Sequence, residues 1–171
     1  MQDLTVTIIG AGIGGLTTGI ALKQAGYKVT IYARVSQLRP AGAGISLWPN
    51  GVKELNQLGL GREIAAIGGK MDRMEYRSHH DEPLNEVDLQ PLFQTVGQRP
   101  YPVARTDLQQ MLLEAFGPED VHLQMKCVAV EQTETSATAT FDDGSKVTSD
   151  VIVGADGIHS IVRSHVLGKA L

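Results

Sequence analysis

The sequence lacks most of the features that mark secreted, membrane-bound and nucleic-acid-binding proteins. It contains one cysteine, Cys127, which leaves no partner for an intrachain disulfide and no cysteine set for a metal ion. Its 15 Lys and Arg are outnumbered by 19 Asp and Glu, and no basic run of the kind that a phosphate backbone needs is present. The apolar runs are too short to cross a bilayer, and the first residues, which lack a charged segment and a cleavage site, are expected to form a strand and not a signal peptide. These absences predict a cytoplasmic protein that binds no nucleic acid, membrane or metal.

The rest of the composition is that of a globular domain. The chain has 171 residues, of which 42% are hydrophobic, an ordinary share for a protein with a packed core. Strand-like and helix-like segments alternate along it, and this order predicts an α/β fold with a mainly parallel sheet. The whole of residues 1–171 is interpreted as one nucleotide-binding domain with Rossmann-like topology.

The spacing of apolar residues predicts the individual elements. Strands are expected at Leu4–Ile9, Lys28–Tyr32, Ile45–Trp48, Met71–Arg77, Val121–Leu123, Lys126–Gln132 and Asp150–Gly154. Helices are expected from Ile13 to just before Gly26, at Val52–Leu58, at Arg62–Ile67, around Leu108–Phe116 and at His159–Leu167. A β-hairpin is expected from Ala137–Phe141 and Lys146–Thr148, with Asp143-Gly144 at its turn. No element is assigned between Leu84 and Arg105.

A glycine-rich turn joins the first predicted strand to the first predicted helix. Its sequence matches the dinucleotide fingerprint G-x-G-x-x-G with Gly10, Gly12 and Gly15, and Ile13 and Gly14 lie between the last two. The first glycine permits the tight turn, the second lets the backbone approach a diphosphate, and the third permits close helix packing. Free amides and the positive end of the helix dipole favour an anion at this position. The turn therefore predicts a dinucleotide site.

One expected residue is missing from this site. The same fingerprint calls for Asp or Glu at the end of the second strand, where a carboxylate binds the ribose hydroxyls. Ala33 occupies that position here, and Arg34 follows it. A cation there favours a 2′-phosphate and so NADP, although a solvent-exposed arginine without a ligand is the alternative. The missing carboxylate predicts weaker binding of the dinucleotide.

A second motif follows the last predicted strand. Asp156-Gly157 comes directly after Asp150–Gly154, and Ser160 and Arg163 continue the pattern D-G-x-x-S-x-x-R. This motif resembles the "DG" motif of the single-component, class A flavoprotein hydroxylases. The segments Gly44–Gly51 and Arg99–Gln109 narrow the resemblance to the aromatic-ring monooxygenases that include the FAD-dependent urate and salicylate hydroxylases. The alternative for Asp156 and Ser160 is a structural turn.

The resemblance carries expectations for cofactors and further residues. It implies FAD as the cofactor, NAD(P)H as the co-substrate and a small aromatic or purine ring as the substrate, hydroxylated with O₂. Ser46 would lie near the flavin, Arg105 would reach the FAD, and Val128 would meet the adenine side through its backbone. The alternatives are a helix-start charge for Arg105 and a plain core residue for Val128.

The resemblance also implies that much of the enzyme is absent from this chain. In the family, a substrate domain and the residues that polarise the substrate follow the segment that ends here at Leu171. The chain is therefore expected to be a fragment truncated before the substrate domain, inactive alone and at best weak in FAD binding. No catalytic residue is assigned, and the oligomeric state is left open. An NADP-dependent reductase, another flavoenzyme such as a prenyl reductase and a non-catalytic nucleotide-binding module are the alternatives, since fold alone does not fix function.

Overall fold

The chain contains both strands and helices, with a run of strands between Val121 and Gly154. The computed structural model describes residues 4–38 and 43–168. The strands are Thr5–Ile9 (β1), Lys28–Tyr32 (β2), Gly44–Leu47 (β3), Arg73–Arg77 (β4), Pro83–Asp88 (β5), Tyr101–Ala104 (β6), Val121–His122 (β7), Cys127–Gln132 (β8), Ala137–Phe141 (β9), Lys146–Ser149 (β10) and Val151–Gly154 (β11). The helices are Ile13–Gln24 (α1), Pro49–Gln57 (α2), Gly61–Ile67 (α3), Gln90–Val96 (α4), Arg105–Phe116 (α5) and Ile161–Leu167 (α6), with a 3₁₀ turn at Pro118–Asp120.

The chain divides into two compact units. The first contains Met1–Pro40 and Gln109–Leu171, and the second contains Ala41–Leu108. The boundary at Leu108 falls within α5.

A parallel sheet forms the centre of the first unit. Its strand order is β11-β1-β2-β7, and each neighbouring pair runs parallel. Four consecutive residues of β1, from Val6 to Ile9, are buried, as expected for a strand whose two faces are both covered. The carboxylate of Asp150 accepts hydrogen bonds from the amide and the hydroxyl of Thr5, both at 2.7 Å, and so joins the start of β11 to the start of β1. The predicted α/β fold with a mainly parallel sheet is confirmed.

One face of the sheet packs against α1. Leu16 on α1 and Ile31 on β2 are fully buried. A Cβ on Gly19 would lie 2.7 Å from the ring of Phe116 and 3.2 Å from Ile31, so only a glycine lets α1 approach these side chains so closely. Lys23 donates to the last carbonyl of α5, at Phe116, over 2.8 Å. This packing places the first turn of α1 at the carboxyl end of β1.

The other face carries a second apolar cluster. It includes Ile9 from β1 together with residues of the antiparallel sheet β10-β9-β8 and of α6, namely Cys127, Ala139, Phe141 and Val162. The predicted hairpin is confirmed as the β9–β10 pair. The prediction of a strand at Asp150–Gly154 is confirmed as β11, but the expectation that this strand is buried is wrong, because none of its residues is buried and Val151, at the edge of the sheet, is 46% exposed.

The second unit consists of short elements. Strands β3 and β6 pair antiparallel, β4 and β5 form a separate antiparallel hairpin, and α2, α3 and α4 complete the unit. Strands β3 and β4 and most of α2 and α3 were predicted from the sequence. Elements β5, β6 and α4 were not, and β5 in particular is exposed along its whole length and shows no apolar alternation.

Candidate dinucleotide-binding site

The glycine-rich turn and the Asp156-Gly157 motif lie side by side at one edge of the parallel sheet. They follow β1 and β11, which are neighbours in the same direction, with Ile9 opposite Gly154. The amide of Ala155 donates to the carbonyl of Ile9 over 2.7 Å, which continues the pairing beyond the strands. Carboxyl ends of parallel strands are where open α/β sheets bind ligands. The structure therefore brings the two predicted motifs together.

Packing within the protein explains two of the three fingerprint glycines. Gly10 has φ of +113°, and a Cβ there would lie 2.2 Å from the carbonyl oxygen of Ala155. A Cβ on Gly15 would lie 1.9 Å from the carbonyl oxygen of Gly10. Both contacts are with backbone atoms, which cannot move aside. Gly10 and Gly15 are thus required by the fold itself.

Gly12 differs from both of them, because nothing in the protein requires a glycine there. Its φ of −77° and ψ of 179° suit any residue. No atom of the described residues lies within 4 Å of the position that its Cβ would occupy. The space next to the Gly12 backbone is therefore open, and a ligand needs such open space to approach the backbone closely.

The start of α1 offers free hydrogen-bond donors beside this room. Gly12 is the N-cap of the helix, with no side-chain capping bond, and the first turn contains no acidic residue. The first helical bond runs from Leu16 to Gly12, and no described residue accepts a hydrogen bond from the amides of Ile13, Gly14 or Gly15. Three free amides and an uncompensated helix dipole fit a diphosphate. The residues present therefore fit the dinucleotide that the fingerprint predicts.

The end of β2 has no carboxylate at the position where the fingerprint calls for an acid that binds ribose. Ala33 is 5% exposed, and its backbone is bonded on both sides, donating to His122 and accepting from Met125 at 2.9 Å each. Arg34 is exposed, and no described residue pairs with its guanidinium. The structure leaves the ribose position without an acid and places an unpaired cation next to it.

The carboxylate of Asp156 is turned towards the start of α6, whereas its backbone lies against Gly10. It accepts hydrogen bonds from the hydroxyl of Ser160 at 2.5 Å and from the amide of Ile161 at 2.7 Å. Ser160 is the N-cap of α6 and accepts from the amide of Arg163 at 3.0 Å. These bonds satisfy the first turn of α6 and fix the loop after β11. Asp156 thus holds the loop after β11 through its carboxylate, and the backbone of this loop lies beside the glycine-rich turn.

We expect Ser160→Ala to lower the free energy of unfolding by about 1–2 kcal/mol, because it removes an N-cap and one partner of Asp156 from a buried position. Ser164→Ala, one turn further along α6, is the matched control and should be close to neutral, because its hydroxyl bonds only the carbonyl of Ser160. Urea unfolding of both variants measures the difference. Equal stability of the two would show that the cap does not hold the loop.

Two predicted residues of β8 have different environments. Cys127 is buried, and the loss of solvent raises the pKa of its thiol, with the nearby charge of Asp156 adding to the rise. It is a packed core residue, as predicted. Val128 next to it is the extra residue of a β-bulge and is 44% exposed. The interpretation of Val128 as a plain core residue is therefore wrong, and its backbone lies outside the regular strand pairing.

Ser46 and Arg105 belong to the second unit. Ser46 on β3 is exposed and lines an open cleft of about 470 Å³, together with Val103 and Thr106. Arg105 opens α5, and its amide donates to Ala43 beside the same cleft over 3.0 Å. No described residue forms an ion pair with the Arg105 side chain. A cation at the start of a helix opposes the helix dipole, and an anionic ligand would offset this unfavourable placement.

Two absences are observed in the described part of the chain. No group of three or more His, Cys, Asp or Glu side chains is arranged to hold a metal ion within residues 4–38 and 43–168. In the same ranges, every helix is too short or too polar to cross a membrane.

The sequence analysis missed two residues that shape the glycine-rich turn. Ala155 supplies the carbonyl that excludes any side chain at Gly10. Gln109 donates from α5 to the carbonyl of Ala11 over 2.8 Å. A carbonyl contact leaves no trace in a sequence, and a single glutamine at a helical position has no distinctive pattern.

Comparisons with known proteins agree with this site. A family model described as an FAD binding domain matches residues 3–169. An FAD-dependent urate hydroxylase from Mycolicibacterium vanbaalenii is 48% identical over 168 residues, which cover 96% of this chain and 42% of the relative. The 3-amino-4-hydroxybenzoate 2-monooxygenase PtmB3 from Streptomyces platensis is 36% identical over 165 residues, which cover 95% of this chain and 42% of the relative.

A solved structure is similar over nearly the whole chain. The crystal structure of Klebsiella pneumoniae HpxO complexed with FAD and uric acid has a TM-score of 0.91 and 38% sequence identity, and the match covers 97% of this chain and 42% of that chain. The chain thus spans about 42% of the length of the curated relatives it matches.

Proposed function

Because this chain belongs to the FAD-binding domain family, we propose that it is the FAD-binding portion of a flavoprotein monooxygenase. The longer protein would use NAD(P)H and O₂ to hydroxylate an aromatic or purine ring. Relatives named as urate hydroxylases support urate as the first candidate, with 48% identity in one case. The 36% identity to a monooxygenase of a substituted benzoate supports the wider class of electron-rich rings.

The observation that carries this proposal is the unused room at Gly12. A merely structural glycine turn would use each glycine for packing or for backbone strain, as Gly10 and Gly15 are used. Gly12 has neither reason, yet it lies beside three free amides at the start of α1. A ligand that brings a diphosphate to this backbone accounts for all of these features.

In this proposal the residues of the chain bind and orient the cofactor. The amides of Ile13, Gly14 and Gly15 bind the diphosphate, and Asp156-Gly157 lines the same edge of the sheet. Bound FAD supplies the redox chemistry, and the protein orients and shields it. For Arg105 and Ser46, which belong to the second unit, the proposal keeps the roles that the resemblance implies: a positive charge for the anionic cofactor and a position near the flavin. Val128 offers backbone groups freed by the bulge to the adenine side.

The proposal is tested by flavin titration of the purified chain. We expect FAD to bind with quenching or enhancement of flavin fluorescence that saturates at about one FAD per chain, and weakly because of Ala33. The isolated chain should not oxidise NADH in the presence of urate, since the activity is proposed for the longer protein. Absence of FAD binding, or full turnover of urate by the isolated chain, would contradict the proposal.

Restoring an acid at residue 33 tests the ribose argument. Ala33→Glu should tighten FAD binding by roughly tenfold, because a carboxylate gains charge-assisted hydrogen bonds to the ribose hydroxyls. Ser36→Glu adds the same charge to an exposed position nearby and is the matched control, with no gain expected. Fluorescence titration gives both dissociation constants. Equal affinities for the two variants would count against a ribose contact at this position.

A second candidate function is favoured by Arg34. An exposed and unpaired cation after Ala33, where an acid is usual, suits the 2′-phosphate of NADP. The chain would then be part of an NADP-dependent reductase that takes up no flavin. Titration with NADP separates the two candidates: binding of NADP without uptake of FAD would favour the reductase. Binding of FAD by a chain whose longer form transfers no electrons to O₂ would instead indicate a non-catalytic nucleotide-binding module.

A further inference from the structure

The carbonyl of Ala11, inside the glycine-rich turn, is held by a side chain from a distant part of the sequence. Nε2 of Gln109 on α5 donates to it over 2.8 Å in a partly buried contact between residues 98 positions apart. Ala11 itself is 3% exposed. A carbonyl in such a place needs a partner, and Gln109 is the partner that the fold supplies.

The turn is fixed at three successive residues. The amide of Gly10 donates to β2 over 2.7 Å, and the carbonyl of Gly12 accepts from the first turn of α1 over 3.0 Å. Both are bonds between backbone atoms, which depend little on the side chains present. The contact with Ala11 between them is the one of the three that depends on a side chain, that of Gln109.

This contact sets the direction of the Gly12 amide. The carbonyl of Ala11 and the amide of Gly12 belong to one planar, trans peptide and point to opposite sides of it. Holding the carbonyl therefore directs the Gly12 amide away from Gln109, and no described residue accepts a hydrogen bond from that amide. The amide lies at the residue whose surroundings are open, directly before the free amides of α1.

We propose that Gln109 is a positioning residue of the diphosphate site, a role that rests on the proposed binding of FAD. The Gln109 amide orients the Ala11–Gly12 peptide before the ligand arrives, so that binding needs no rearrangement of the turn. The chemistry of glutamine suits this task. A carboxylate has no proton to donate at neutral pH. A lysine or arginine would bring a flexible positive charge that binds the anion itself, in competition with the backbone amides.

The test compares FAD affinity in variants of neighbouring glutamines. Gln109→Leu should raise the FAD dissociation constant by roughly tenfold, because the turn then has to be ordered on binding. Gln110→Leu is the matched control: Gln110 lies next to it on α5, is exposed and bonds only Glu114 within the helix. Loss of the Gln110 amide should change the FAD dissociation constant by about twofold or less.

A charge variant separates positioning from general stability. Gln109→Glu keeps the size of the side chain but donates only when its carboxyl group is protonated. Its FAD dissociation constant relative to the unmodified chain should therefore be large near pH 8 and fall as the pH is lowered to about 5, towards the pKa of a carboxyl group. A contact that only supports the fold would lower the unfolding temperature of the FAD-free chain and leave this ratio independent of pH.

The possible outcomes are distinct. The role is supported if Gln109→Leu binds FAD more weakly, Gln110→Leu binds it as the unmodified chain does, and the ratio of dissociation constants for Gln109→Glu depends on pH. Unchanged FAD affinity in Gln109→Leu, or a ratio that does not vary with pH, overturns it and leaves the proposed function standing. If the unmodified chain takes up no FAD, the proposed function and the role of Gln109 both fail.

Discussion

Gly12→Asp should make the FAD-free chain more stable and at the same time strongly weaken its binding of FAD. The backbone at Gly12 already has the extended conformation of an N-cap, where Asp accepts hydrogen bonds from the free amides. Capping and the interaction with the helix dipole together should raise the free energy of unfolding by about 0.5–1 kcal/mol. The same charge, placed where the diphosphate is proposed to bind, should weaken FAD binding by a factor of roughly a hundred or more. A gain in the free energy of unfolding together with a loss of FAD affinity would show that the glycine at residue 12 serves ligand binding and not the fold.

Gly12→Asn is the matched control for this prediction. It has the shape of Asp and also caps helices, but it carries no charge. Its FAD affinity should lie between those of the unmodified chain and Gly12→Asp, and the gap between the two variants measures the electrostatic part. FAD affinity in Gly12→Asp equal to that of the unmodified chain would contradict the placement of the diphosphate, as would a loss of stability of the FAD-free chain.

Gly15→Ala should have the largest effect on the fold. The added methyl group would lie 1.9 Å from the carbonyl oxygen of Gly10, a backbone atom inside the tightest part of the turn. Relief requires α1 to move away from β1, where Leu16 is fully buried. We expect a loss of about 3 kcal/mol or more in the free energy of unfolding, or failure to fold. Thermal and urea unfolding measure it.

Gly14→Ala, one residue earlier in the same helix turn, is the control with the opposite sign. No atom lies within 4 Å of its Cβ position, and its φ is not in the left-handed region. An alanine there should raise the stability by about 0.5–1 kcal/mol, as it does within helices in general. Two adjacent glycine-to-alanine changes with opposite effects on unfolding would confirm this packing. Similar effects would contradict it.

The sequence was sufficient to predict the helices and strands that bury an apolar face or lie next to a strong turn signal. Strand β2 was predicted with the bounds that the structure shows, and α1 and the β9–β10 hairpin were placed to within a few residues. These segments have apolar residues at a regular period, and two of them have a glycine with positive φ at their turn signal, namely Gly26 just after α1 and Gly144 in the hairpin turn. Pattern and backbone requirement coincide there, so local reasoning succeeds.

Elements that depend on neighbours distant in sequence could not be predicted in this way. Strand β5 is exposed along its length, and it forms only by pairing with β4. The brace between Asp156 and the start of α6 has a sequence pattern, but the direction of the carboxylate became visible only with the positions of Ser160 and Ile161. The bond between Gln109 and Ala11 depends on how α5 packs and leaves no local signal.

The central claim is that a diphosphate binds the amides at the start of α1, beside the loop that carries Asp156-Gly157. The most direct test is to label the 19 glycines of the chain with ¹⁵N and to follow their amide resonances during titration with FAD. Triple-resonance spectra of the uniformly labelled chain assign these resonances. We predict that Gly12, Gly14, Gly15 and Gly157 shift most, while Gly26 at the far end of α1 and Gly144 in the hairpin turn stay in place. Saturation with FAD that leaves Gly12, Gly14 and Gly15 unmoved would contradict the account.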